Sequence, residues 1–132
     1  MTARIDRPLS PHLQTYRWTL TMVLSIINRV TGVVLYFGTL LLAWWLIAAS
    51  SGPGAYASVQ AFTGSFIGRI IVFGYTWALL QHLLGGIRHF MWDLGYGFKP
   101  TEREALSWVA LIGGISLTVL LWIAAYAIGG GR

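Results

Sequence analysis

Apolar residues run along this chain in three long blocks, at about residues 18–49, 62–92 and 105–128, with most charged residues at their borders. Each block exceeds the roughly 20 helical residues needed to cross a hydrocarbon core. The pattern predicts an all-α membrane protein with three transmembrane helices, organised as one domain over residues 1–132. Glycine and proline mark the breaks. Ser50-Ser-Gly-Pro-Gly54 ends the first block, and Gly95-Tyr-Gly-Phe-Lys-Pro100 ends the second. Thr101-Glu-Arg-Glu104 has the spacing of a capping box opening the third helix. Ser10-Pro11 suits the N-cap and first turn of a short interfacial helix ahead of the first span.

Composition supports the membrane reading. Hydrophobic residues make up 56% of the chain and charged residues only 10%, where a soluble domain carries about a quarter charged. With no cysteine, disulfides and thiolate-held metals are excluded. A net charge of +5 in a soluble chain would suggest nucleic acid. Here the basic residues gather at membrane borders, so they encode topology and no nucleic-acid partner is expected. Arg4, Arg7 and Arg17 precede the first block, and Lys99 and Arg103 lie in the second loop. Residues 50–64 carry no charge. The positive-inside rule then puts the N-terminus in the cytoplasm and the C-terminus in the periplasm. Residues 1–17 contain no apolar signal core, so an uncleaved, multi-pass protein of the bacterial inner membrane is expected, in contact with lipid. Trp18, Trp92 and Tyr96 would anchor the inner interface, and Trp44, Trp45 and Tyr126 the outer one.

His82 stands within an almost uncharged stretch, residues 70–87. An imidazole there needs a partner, because an unpaired polar group in hydrocarbon is costly. On a helix, His82, Gly85, Gly86 and His89 fall at i, i+3, i+4 and i+7. Such a face would be a bare wall on which a haem ring could lie with His82 reaching its iron. Counting 20 residues back from Ala49 puts Arg29 at the inner edge of the first span, level with Arg88 and His89. His82 would then lie about 9 Å deeper. Haem matches that asymmetry, its two propionates facing Arg29, Arg88 or His89. His82 and His89 share one face, about 10.5 Å apart, and His12 lies at the wrong depth. A six-coordinate haem would therefore need its second ligand from another polypeptide. The alternative is a histidine that hydrogen-bonds a neighbouring helix or serves a proton path.

A second constellation is Ser25-Ile-Ile-Asn28-Arg29-Val-Thr-Gly32. Ser25 and Arg29 are i, i+4 neighbours. A hydroxyl and a guanidinium near the inner edge could bind the carbonyl oxygens of a quinone. Equally, Arg29 could snorkel to lipid phosphates while Ser25 bonds its own helix. Asp93 is placed to pair with His89 or Arg88. Arg69 reads as an outer snorkelling anchor, and Gly64 with Gly68 as a small-residue pair. No nucleophile–base arrangement, phosphate loop or carboxylate pair is present, so hydrolytic or transfer chemistry by this chain alone is not expected.

Three motifs are also familiar: Arg7-Pro-Leu-Ser-Pro-His-Leu-Gln-Thr-Tyr16, the Ser25 to Gly32 segment, and His82-Leu-Leu-Gly-Gly-Ile-Arg-His89 with Asp93. In order and over essentially the whole chain, they resemble the cytochrome b membrane-anchor subunits of succinate dehydrogenase, respiratory complex II. The resemblance implies a flavoprotein, an iron–sulfur subunit and two small anchors that share one haem b. It implies that His82 is an axial haem ligand, with the opposite ligand from the second anchor. It implies that Ser25 and Arg29 belong to the ubiquinone site, and that Arg29 and His89 lie near the propionates. Succinate oxidation would occur in the flavoprotein. Many members of that family have histidine immediately before the arginine of the first span, whereas this chain has Asn28, which cannot carry a proton charge. A fumarate reductase anchor, or a non-redox assembly or transport subunit, are the alternatives.

Overall fold

The computed structural model describes residues 12–129, which form four helices: α1 (Leu20–Ser51), α2 (Pro53–Gly64), α3 (Phe66–Asp93) and α4 (Pro100–Gly129). α1, α3 and α4 are each long and apolar enough to cross a membrane. The all-helical, three-span architecture is therefore the one expected from the apolar blocks. No strand occurs among the described residues.

The short helix ahead of the first span is a different matter. Residues 13–15 form a turn, with Thr15 N and Tyr16 N donating to His12 O at 2.9 Å each. Ser10 and Pro11 lie outside the described residues. The long helix starts directly at Leu20 and runs for 32 residues, about 48 Å. That exceeds the roughly 30 Å hydrocarbon thickness. Arg29 therefore lies inside α1, nine residues after its start at Leu20.

The short helix is found instead in the first loop. Gly52 takes φ 117°, a backbone region that a side chain would strain. It ends α1, and Pro53 then occupies the first turn of α2. The Gly-Pro-Gly sequence is thus both a stop and a start, because proline pre-sets the first helical φ without needing its missing N–H. α2 folds back on α1 through aromatic pairs, Trp44 with Phe62 (5.4 Å between centroids) and Trp45 with Tyr56 (6.4 Å). Trp44 and Trp45 therefore pack against α2. Ser65 separates α2 from α3, and its Oγ accepts from Gly68 N at 3.1 Å. The break lies between Gly64 and Gly68. Gly68 has its own reason to lack a side chain, since a Cβ there would run into the Phe62 backbone.

At the start of α4, Pro100 takes the first position and Thr101 lies inside the helix. Proline's preference for that position displaces the predicted capping box. Lys99 pairs instead with Glu102 at 3.3 Å.

The interior shared by α1, α3 and α4 is built from small and hydroxyl-bearing residues. Thr31, Ala78, Gly85, Ser107, Ala110, Gly114 and Thr118 are buried, while Leu40, Phe66 and Val109 are among the large apolar residues facing outward. This is the arrangement lipid favours. The hydrocarbon accepts the large side chains, and close backbone approach holds the helices together. Glycines at the crossings receive particular neighbours, among them Asn28 at Gly85, Gln81 at Gly114 and the Tyr75 ring at Gly38.

Candidate functional site

The α1–α3 crossing sets His82. Its Nδ1 lies 3.1 Å from the Asn28 carbonyl oxygen and 3.2 Å from Thr31 Oγ1. A carbonyl only accepts, so that bond requires the proton on Nδ1. Nε2 is then the lone-pair nitrogen, the state in which imidazole binds a metal. Thr31 is fully buried, and its hydroxyl also donates to Asn28 O at 3.0 Å. Gly32 passes beside the ring, where an added Cβ would come within 3.3 Å of His82 Cε1. His82 is itself only half-buried.

The expected bare wall is not continuous. Gly85 is buried against α1, where the Asn28 side chain fills the space that a Cβ would need. Gly86 faces open space, and His89 is exposed, its ring edge-on to Trp92 at 5.1 Å between centroids. The physical reason is that Gly85 is used for helix–helix approach, so only the Gly86 side remains bare.

The basic residues also separate. Arg29 is exposed on α1, and Ser25, one turn earlier, is half-buried. Because Asn28 sits beside both His82 and Gly85, Arg29 is level with that stretch of α3. Arg88 points elsewhere. It is buried, at 3% exposure, with Nη1 donating to Ser107 Oγ of α4 at 3.0 Å and its guanidinium 4.9 Å from the Trp92 ring centroid. Ser107 donates in turn to Arg103 O at 2.8 Å and lies 3.4 Å from Thr21 Oγ1 of α1. Arg88 is thus level with the start of α1, and Arg29 lies about two turns along. Asp93 forms no ion pair among the described residues.

Asn28, Gln81 and Arg88 converge on a narrow gap between the three helices, lined also by Leu24, Gly85 and Ala110. Asn28 Oδ1, Gln81 Oε1 and Arg88 Nε are buried there without a hydrogen-bond partner. Gln81, beside the histidine, therefore faces α4 and not the His82 side.

Two participants were not singled out from the sequence. Thr31 lies three residues after Asn28, inside a motif already noted, and its spacing was the available signal. Ser107 had none, because a lone serine on an apolar helix does not announce which cation it will meet. Among the described residues no group of three histidine or carboxylate side chains is placed to hold a metal ion. The site offers a single oriented imidazole.

Comparison with known proteins bears on this arrangement. Residues 3–127 match the family described as "Succinate dehydrogenase/Fumarate reductase transmembrane subunit". The chain is 44% identical over 120 residues to the "Succinate dehydrogenase cytochrome b556 subunit" of Paracoccus denitrificans, covering 91% of this chain and 92% of that one. The subunit of the same description from Rickettsia felis is 40% identical over 117 residues, covering 89% and 91%. The mitochondrial "Succinate dehydrogenase cytochrome b560 subunit" of Bos taurus is 39% identical over 121 residues, covering 88% of this chain and 68% of that one.

Proposed function

Because the chain belongs to the succinate dehydrogenase/fumarate reductase transmembrane subunit family, we propose that it anchors a succinate:quinone oxidoreductase in the bacterial inner membrane. In this reading it co-ligates one haem b through His82 and lines part of the ubiquinone-reducing site. The carrying observation is the orientation of His82, with Nδ1 held by Asn28 O and Nε2 left for a metal. The relatives are named as cytochromes b, and their name suits a chain with one such imidazole. When bound, haem supplies a one-electron carrier.

The chain's own residues have separate tasks. Asn28 O and Thr31 Oγ1 fix the ring and its tautomer. Gly32 lets α1 pass close enough for that contact. Arg29 and His89, both exposed, would be the donors to the propionates of a bound haem. Arg88, turned into the bundle and held by Ser107, would act on those propionates only at a distance, as a buried charge. Ser25 and Arg29 donate hydrogen bonds to the quinone's carbonyl oxygens. His82 and His89 lie on one helix, so a haem held by two protein ligands would need the other from a second anchor subunit. An iron–sulfur subunit delivers electrons at the cytoplasmic face, and a flavoprotein beyond it oxidises succinate. The N-terminus lies on that cytoplasmic side.

The test is to purify the chain with its partners in mild detergent, identify them, and record the reduced-minus-oxidised spectrum of the same sample. A flavoprotein, an iron–sulfur subunit, a second anchor and a b-type spectrum are expected. A preparation without haem and without a flavoprotein would overturn the reading.

A further inference from the structure

The end of the bundle opposite Arg88 holds a cleft between α2, α3 and α4, about 700 Å³ in volume, with Gln60 and Thr63 lining it from α2. Arg69, Val72 and Thr76 line it from α3, at i, i+3 and i+7, and Leu121, Trp122 and Tyr126 line it from α4. From Arg69 to Thr76 the groove descends about 10.5 Å along the helix. That volume and depth suit an elongated ligand.

The lining divides into a polar rim and an apolar channel. Thr76 and Trp122 carry polar atoms deep in the groove, but these satisfy each other. Trp122 Nε1 donates to Thr76 Oγ1 at 3.3 Å, and Thr76 donates to Val72 O at 2.7 Å. What the deep part offers a ligand is hydrocarbon and ring surface. At the rim, the Arg69 guanidinium and the Tyr126 hydroxyl make no hydrogen bond or ion pair among the described residues.

The charge balance at the rim is one-sided. The carboxylates among the described residues are Asp93, Glu102 and Glu104, all at the other end of the bundle. Arg69 also lies at the start of α3, a helix with no acidic residue in its first turn. A cation there adds to the positive end of the helix dipole instead of offsetting it. A negative group at the rim would meet the dipole, a guanidinium and a phenolic donor together.

We propose that this cleft is a binding site for one anionic phospholipid, its phosphate held by Arg69 and Tyr126 and an acyl chain lying along Val72, Leu121 and Trp122. A zwitterionic lipid fits less well, because none of the described carboxylates lies at this end to receive its cation. The site is independent of the haem and quinone reading and lies at the opposite end of the spans.

The experiment uses the intact purified complex, exchanged extensively in detergent and measured by native mass spectrometry. Phosphatidylglycerol, phosphatidylcholine and inorganic phosphate are added back in separate arms. One phosphatidylglycerol is expected to be retained, with phosphatidylcholine retained at least about tenfold less and inorganic phosphate failing to displace it. Arg69→Gln should weaken phosphatidylglycerol retention about tenfold, the scale of one lost charge-assisted hydrogen bond. Arg69→Lys should keep most of it. Ala125→Trp, which narrows the cleft and leaves Arg69 in place, should also release the lipid. Equal retention of the two lipids, unchanged retention by Arg69→Gln, or no retained lipid in the wild-type complex would each overturn the proposal. Displacement by phosphate alone would show an anion site without a lipid chain and would overturn it as well.

Discussion

The Nδ1 of His82 faces the backbone carbonyl of Asn28 at 3.1 Å, across the interface between α3 and α1. The candidate ligand on one helix is therefore oriented by the main chain of another. The Asn28 side chain takes no part in that contact and is directed to Gly85. The side chain at this position thus leaves the orienting bond available, since the carbonyl belongs to any residue.

Thr31→Val tests the second contact on that nitrogen. The substitution keeps the shape of the side chain and removes the hydroxyl 3.2 Å from Nδ1. The carbonyl bond remains, so haem should be retained. The midpoint potential should shift, and stability should fall by about 0.5–1.5 kcal/mol, the usual net worth of one hydrogen bond. Redox titration with thermal unfolding of the complex measures both. Complete loss of haem would assign Thr31 more than a positioning role.

Gly85 and Gly86 should respond oppositely to alanine. At Gly85 the new Cβ collides with Asn28, and overpacking should cost about 1–3 kcal/mol. At Gly86 it meets nothing in this chain. There the helix propensity of alanine should be worth up to about 1 kcal/mol in the stabilising direction. Thermal stability of the two purified variants decides this. Equal losses would contradict the placement of Asn28 over Gly85.

Ser107→Ala removes the hydroxyl that receives Arg88 while leaving the guanidinium buried. Stranding that charge should destabilise the complex by about 1.5–3 kcal/mol. A double change, Ser107→Ala with Arg88→Met, should recover part of the loss, because a buried charge and its partner can be removed together at little cost. A double-mutant cycle read by unfolding checks the coupling. Additive losses would mean the two residues do not act as a pair.

Arg29→Ala addresses the quinone role. It should impair succinate-dependent quinone reduction by tenfold or more, about 1.4 kcal/mol of lost interaction. Succinate oxidation by an artificial acceptor should persist. Parallel loss of both activities would point to failed assembly instead.

The three spans were legible because 20 or more consecutive apolar residues have few alternatives in water or lipid. The His82 motif was legible for a related reason, since a polar ring in such a run requires a partner. Lateral detail was not. Period alone puts Gly85 and Gly86 on one face, but it does not say which of them a neighbouring helix will occupy. The same limit hid the direction of Arg88, whose partner Ser107 lies on α4. The length of α1 was not legible either, because the helix continues to Leu20, well beyond the length a bilayer needs. Gly52-Pro53 signals a stop in sequence, but it also starts α2, as proline in a first turn allows.

The most direct measurement is the reduced-minus-oxidised spectrum of the assembled complex carrying His82→Leu, beside one carrying His89→Leu. Assembly is checked in each by subunit content and by succinate oxidation with an artificial acceptor. His82→Leu should abolish or alter the b-type spectrum, while His89→Leu should retain it. An unchanged spectrum in an assembled His82→Leu complex would contradict ligation by this chain.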